Sequence, residues 1–246
     1  ILDNFCWSNV NDPENLGALV RTAEACHDAA LAYKTPFISG KDSLNNEYRS
    51  PNQKITIPHT LLISALGHIA DVRRCVTMDL KTPGNVIYLV GETKPELGGS
   101  HFQLVTGQTG GEIPRANLEQ APRVFQAIHS AIIQGLVQSC HDLSEGGFAV
   151  AIAEMAFAGE VGVDIKYFPE EGTISNYEWL FSESVTRFLI ECKPSNSLQF
   201  ESLFNGLPLT KVGETTAQPR LRIAEKKGDG MFWEKLRNLK NPGKTQ

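Results

Sequence analysis

The chain has no C-x-x-C pair among its 246 residues, so a zinc ribbon or a thioredoxin-type redox centre lacks its ligands. Its five cysteines, Cys6, Cys26, Cys75, Cys140 and Cys192, are odd in number and far apart. Apolar or small residues flank most of them, which reads as reduced, buried thiols in a cytoplasmic protein. No run approaches the roughly 18 apolar residues of a membrane-spanning helix. No charged-then-apolar signal peptide opens the chain either. Basic excess is also missing: a net charge of −5 argues against a dedicated nucleic-acid or anionic-membrane surface, although a few local cations suffice for a small anion. There is no short repeat and no low-complexity segment. The segment TPFISGKDSLNNEY tempts with Gly40-Lys41, but a Walker A loop needs glycine five residues before Gly40 and a hydroxyl after the lysine. Thr35 and Asp42 stand there instead.

What is present suits a globular enzyme. Hydrophobic residues make up 41%, charged residues 21%, and there are 21 glycines, enough for one large core or two smaller ones. The chain begins ILDNFCW, apolar and without methionine, and reads as cut from a longer protein. Ile1 to Trp7 reads as a strand. Leu16, Leu19, Val20, Ala23, Cys26, Ala30 and Leu31 repeat at helical spacing and predict a helix over 16–33. A strand over 36–39 then feeds a glycine loop. Thr60 to Ile69 is β-compatible, and KTPGN is a turn and a domain boundary. VIYLVGET is a continuous apolar strand. A helix is predicted over 118–139, and a second in FAVAIAEMAFAG, closing at Gly159. Strands follow in GVDIKY, after LFSES, and in LTKVGET. The polar end carries an amphipathic helix about Trp233 to Leu239. The alternation of helix and strand predicts a layered α+β fold, divided as 1–80, 81–217 and a tail over 218–246.

Three loops share small residues, a carboxylate and a place beside an apolar strand: SGKDSLNNE, HDLSEGG and FSES. In HDLSEGG the glycines open a helix, where free N–H groups favour an anion. Asp142 and Glu145 repel a bare phosphate, so an anion there needs bridging Mg²⁺. The alternative is plain helix capping by Ser144 and Glu145. His27 and His129 read as surface or packing residues. His141 has the chemistry for catalysis, but no partner for it is legible. KPELGGSHF either closes over a ligand or simply turns the chain. Lys41 is either a phosphate cation or a solvated loop lysine.

Taken in order, DNFCW, TPFISGKDSLNNEY, PHTLLISALGHIADV, ELGGSHF, HDLSEGGFAVAIAEMAFAG and LFSESVTRF resemble the C-terminal half of the phosphoribosylformylglycinamidine synthases, within the aminoimidazole ribonucleotide synthetase-like superfamily. The resemblance covers about Ile1 to Thr215. It implies part of an N-type β-rich domain followed by a C-type α/β domain. It also implies ATP-dependent amidine formation from a formamide through an iminophosphate, with Mg²⁺, in purine biosynthesis. Ammonia comes from a glutaminase domain or subunit, and the catalytic histidine belongs to the N-terminal half. The resemblance therefore implies that this part is inactive alone, lacks catalytic residues of its own, and joins that half in a homo-oligomer. Carried over by position, Asp3, Gly40 and Lys41 fall at nucleotide-contacting places and Ser43 at a substrate-binding one. Asp142 and Glu183 are placed as metal ligands by the pseudo-symmetry of the two halves. Many members have GNVS where this chain has GKDS. An ammonium cannot ligate Mg²⁺, so either the metal is held differently or Lys41 itself neutralises phosphate. Two other readings stay open: another superfamily member, such as a selenophosphate synthetase or thiamine-phosphate kinase, and a nucleotide-free scaffold.

Overall fold

The computed structural model describes residues 1–167, 169, 174–224 and 230–240. These fall into two compact units, Ile1–Ala70 and Asp71–Gln246.

In the first unit, β1 (Leu2–Cys6) lies between β2 (Ser39–Ser43), parallel to it, and β5 (Thr60–Ser64), antiparallel to it. A hairpin of β3 (Glu47–Ser50) and β4 (Gln53–Thr56) stands beside that sheet in sequence. The helix α1 (Pro13–Tyr33) starts where Asp12 caps the Glu14 N–H and Pro13 presets the first turn. It ends where Lys34 enters the left-handed region at φ 56°. The helical spacing was legible, but none of the α1 side chains is buried; Leu16, Val20 and Leu31 are exposed. Only Phe5, Trp7 and Ser8 are buried in the whole unit. One expectation is corrected: the predicted strand over 36–39 and its glycine loop are displaced, because SGKDS is itself β2. Parallel pairing with β1 satisfies its backbone, and Gly40 tolerates the tight approach of the neighbouring strand.

The second unit is built on a seven-stranded mixed sheet. Its strands are β6 (Val86–Val90), β7 (Val137–Asp142), β8 (Gly162–Ile165), β9 (Phe188–Cys192), β10 (Leu209–Thr216), β11 (Arg220–Ala224) and β12 (Gly230–Lys235). Their order is β12-β11-β8-β10-β6-β9-β7. Of the pairs, only β11 with β8 is parallel. The continuous apolar run VIYLV follows from its burial on both faces. Ile87 and Leu89 join one core cluster with the helices α4 (Gly147–Gly159), α5 (Asn176–Phe181) and α7 (Leu236–Lys240). Val86, Tyr88 and Val90 join another with α3 (Ala121–Ile133) and α6 (Ser197–Leu203). A sheet covered on both faces needs apolar residues at every position.

Two element boundaries differ from the sequence reading. The helix predicted over 118–139 ends at Ile133, because Gly135 turns left-handed at φ 71° and Val137 begins pairing with β9. The end of the chain, read as polar with one helix, instead supplies β11, β12 and only the short helix α7. The cysteines also differ: all five are free, but only Cys192 is buried. The fully buried Glu191 carboxylate is a structural pin. It accepts bonds from the Lys81 and Thr82 N–H groups, the Asn85 amide and the Ser139 hydroxyl, at 2.9, 3.2, 2.7 and 2.9 Å. It thereby ties the loop before β6 to β7 and β9, and among the described residues no cation pairs with it. Among the described residues, no helix is long and apolar enough to cross a membrane.

Candidate functional site

Asp3 and Gly40 are direct register partners on β1 and β2. A Cβ at Gly40 would stand 2.0 Å from the Asp3 Oδ1, so only glycine leaves the carboxylate in place. Lys41 and Ser43 lie two residues apart on β2 and share a face, and the Lys41 Nζ donates to the Ser43 Oγ. Beyond them, the Ser43 carbonyl accepts from the Trp7 N–H at 2.7 Å and the Asn46 side chain at 3.1 Å. Glu47 closes this group. Its carboxylate accepts from Arg49 and, at 3.3 Å, from Asn9. The Arg49 bond holds it below the usual carboxylate range. The four residues proposed from the first unit lie on two paired strands, but Asp3 and Gly40 occupy one face of the sheet and Lys41 and Ser43 the other, so the carboxylate and the ammonium do not share a face.

In the second unit, β7 ends in His141 and Asp142, and the loop LSEGG leads into α4. Gly146 and Gly147 both have positive φ, 77° and 62°. A Cβ on Gly147 would stand 2.4 Å from the Ser182 carbonyl, so the FSES loop rests directly on the glycine pair. Helix capping by Ser144 and Glu145 is not what the structure shows: α4 has no side-chain cap from its own loop. The Ser144 hydroxyl donates to Glu145 at 2.8 Å, lowering that carboxyl's pKa. The carboxylate that comes to the Gly146 N–H belongs to Glu183, at 2.9 Å. The same Oε1 accepts from the His101 N–H at 2.8 Å, at the start of α2 (His101–Thr106) in the GGSH loop. Glu183 therefore joins three loops that are far apart in sequence.

Asp142 and Glu183 both border an open cavity of about 410 Å³. A second cavity of about 430 Å³, lined by His101, His141 and Glu154, shares Asp142, Ser144 and Glu145 with it. The Asp142 side chain is 65% exposed. Among the described residues, no group of three or more His, Cys, Asp or Glu side chains could by itself hold a metal ion. Two carboxylates with free oxygens on one cavity suit Mg²⁺, which takes few protein ligands and completes its shell with phosphate and water.

Three partners escaped the sequence reading. The His141 Nε2 lies 2.7 Å from the Glu154 Oε2; a carboxylate oxygen accepts, so this nitrogen carries the proton. Glu154 is the one charged residue in GFAVAIAEMAFAG, a signal that could have found it. Arg187, the only charge in VTRFLI, is buried beneath the FSES loop. Glu96 is buried too, with one oxygen on the Arg115 N–H at 3.2 Å and the other unbonded. Beside them, burial and then Asp142 push the Cys140 thiol up to about 12, which keeps it protonated and unreactive.

Residues 82–226 match the family "AIR synthase related protein, C-terminal domain". The chain is 37% identical over 207 residues to the phosphoribosylformylglycinamidine synthase subunit PurL of Thermococcus sibiricus, covering 83% of this chain and 28% of the relative. It is 34% identical over 224 residues to the corresponding subunit of Lactobacillus helveticus, covering 91% and 29%. It thus spans under a third of those relatives. The fold matches Thermotoga maritima PurL complexed with FGAR at a TM-score of 0.71 and 18% identity, over 98% of this chain and 39% of that one. It matches Escherichia coli HypE, a hydrogenase maturation protein, at 0.61 and 14%, over 95% and 72%. With its C-terminal domain matched over more than half of its length, and α+β layers to fit, this chain belongs to the AIR synthase related family.

Proposed function

We propose that the chain is the C-terminal portion of a phosphoribosylformylglycinamidine synthase, a ligase that uses ATP to convert formylglycinamide ribonucleotide to formylglycinamidine ribonucleotide in purine biosynthesis. The observation that carries this reading is 34–37% identity to two such subunits across 83–91% of this chain. The solved T. maritima relatives named with ATP and ADP support a nucleotide, and the one named PurLQS supports an assembly with partner proteins. On this reading residues 1–80 are part of an N-type domain, 81–217 the C-type domain and 218–246 its tail. The enzyme is cytoplasmic and homo-oligomeric, and it joins an N-terminal half and a glutaminase.

The residues fit the cofactors. In the first unit Gly40 offers bare backbone and Lys41 a cation to a nucleotide, Asp3 a carboxylate that accepts hydrogen bonds, and Ser43 a hydroxyl to substrate. Asp142 and Glu183 offer hard oxygens to Mg²⁺, which when bound neutralises phosphate charge. Glu183 keeps one oxygen on two backbone amides, and among the described residues the other accepts no hydrogen bond. One arrangement favours the scaffold alternative: Lys41 is already engaged by Ser43. Calorimetric titration of ADP with and without Mg²⁺ separates the two. ADP binding that Gly40→Ala weakens, or magnesium-dependent binding that Asp142→Asn weakens, supports the synthetase reading, each unit being tested by itself. No binding at millimolar ADP supports the scaffold.

A further inference from the structure

Arg187 is a cation almost without solvent, 1% exposed. Among the described residues no carboxylate forms an ion pair with it. Its donors go to the backbone and one hydroxyl instead. Nε donates to the Ser184 carbonyl and Nη1 to the Thr93 hydroxyl, both at 2.8 Å, and Nη2 donates to the Ser182 carbonyl. Those two carbonyls stand on either side of Glu183. The surroundings are shaped to admit the side chain. Gly91 has φ 90°, and a Cβ there would stand 2.9 Å from the Arg187 Cγ and 2.3 Å from the Thr186 carbonyl. Thr186, just before it, is held at φ 62°, a conformation that β-branched residues avoid. Burial lowers the guanidinium to about 10, opposed by Glu96 and then Glu183.

An arginine buried for charge pairing meets a carboxylate in a fork. This one instead fastens the backbone around a single glutamate. We propose that Arg187 is the positioning residue for Glu183, fixing the FSES loop so that one Glu183 oxygen bridges the Gly146 and His101 amides and the other stays free on the cavity shared with Asp142. The use of that free oxygen for a nucleotide-bound Mg²⁺ rests on the proposed function; the positioning does not.

The test uses the whole chain and reads amide exchange at Gly146 and His101 by NMR. Glu183→Ala should speed both amides at least tenfold, and Glu183→Gln should restore them, since its amide oxygen still accepts. Arg187→Lys keeps the charge but loses the fork. It should speed the same two amides, leave β6 and β9 at the parent rate, and add nothing in the Glu183→Ala background. Parent rates in Arg187→Lys, loosening only together with β6 and β9, or additivity with Glu183→Ala would each overturn the proposal. If Arg187→Lys fails to fold, Thr93→Val decides. It removes one of the three bonds, and loosening confined to the two amides supports positioning, while parent rates overturn it. A parallel titration with Mn²⁺ alone, followed by electron paramagnetic resonance, keeps the two readings apart. Unchanged Mn²⁺ binding in Glu183→Gln removes the metal role of Glu183 and leaves its positioning to be judged by exchange.

Discussion

At Gly40 and Gly147 an identifiable neighbour leaves no room for a side chain. At Gly147 a methyl group meets the Ser182 carbonyl and the backbone is already left-handed. Gly147→Ala should therefore lose about 2 kcal/mol or more of stability in urea denaturation and shift the FSES loop; a loss below about 0.5 kcal/mol, the range of an ordinary surface change, contradicts that packing. Lys41 bears on the nucleotide reading. If it neutralises phosphate, Lys41→Ala should weaken ADP binding by about 1–3 kcal/mol, less at high salt. Lys41→Asn should make binding more magnesium-dependent, because an amide oxygen can ligate the metal. Parent-like titrations for both variants leave Lys41 as the partner of Ser43 alone. Glu191 is a purely structural case. Glu191→Ala strands four donors and should cost about 3 kcal/mol or more, with Glu191→Gln costing less; equal midpoints in urea for the two variants would contradict this.

Elements were legible where burial imposes a pattern that local sequence must obey. The two-faced burial of β6 demanded VIYLV, and the core face of α4 demanded Phe148, Ala151, Ile152, Met155 and Ala156. The helix α3 was overextended, since apolar spacing continues through Leu136 and only Gly135 and the pairing of β7 stop it. β2 was misread because Gly-Lys-Asp-Ser has no strand signature; its pairing partner lies 37 residues earlier. Pairing across the sheet also leaves a measurable mark where α6 packs on β6. The Tyr88 hydroxyl donates to Glu201 at 2.6 Å, and burial followed by that bond pushes the phenol up to about 12. The folded pKa is raised, so the stability it contributes is complete below the unfolded value near 10 and is lost as pH rises through 12. Comparison with Tyr88→Phe by urea denaturation from pH 8 to 12 should show the parent's advantage shrinking above pH 10. A constant gap would refute the linkage.

For the whole molecule the contrast is between a unit with two facing cores and a unit with almost none. Residues 1–70 bury three side chains, while Leu62, Ile63, Leu66 and Ile69 are exposed, Leu66 at 93%. Burial that small does not balance the entropy of ordering 70 residues. Amide exchange should accordingly be fast in β1, β2 and β5 and slow in β6, β9 and β10; equal protection contradicts this. As part of the proposed synthase, the same surface is complemented by the N-terminal half. The chain alone should then self-associate in light scattering as concentration rises. A monodisperse monomer at high concentration counts against that proposal.

The sequence by itself determined the family and most helices and strands, and it named the candidate loops, because these rest on contiguous residues and local periodicity. It placed Asp142 and Glu183 only by analogy, and it missed Glu154 and Arg187 altogether. The tertiary structure supplied their neighbours. Glu183 reaches Gly146 across 37 residues and His101 across 82. Arg187 reaches Thr93 across 94. A bond between side chain and distant backbone leaves no period in the sequence, only a lone charge in an apolar run. What that charge holds is fixed when the sheet brings its loops together.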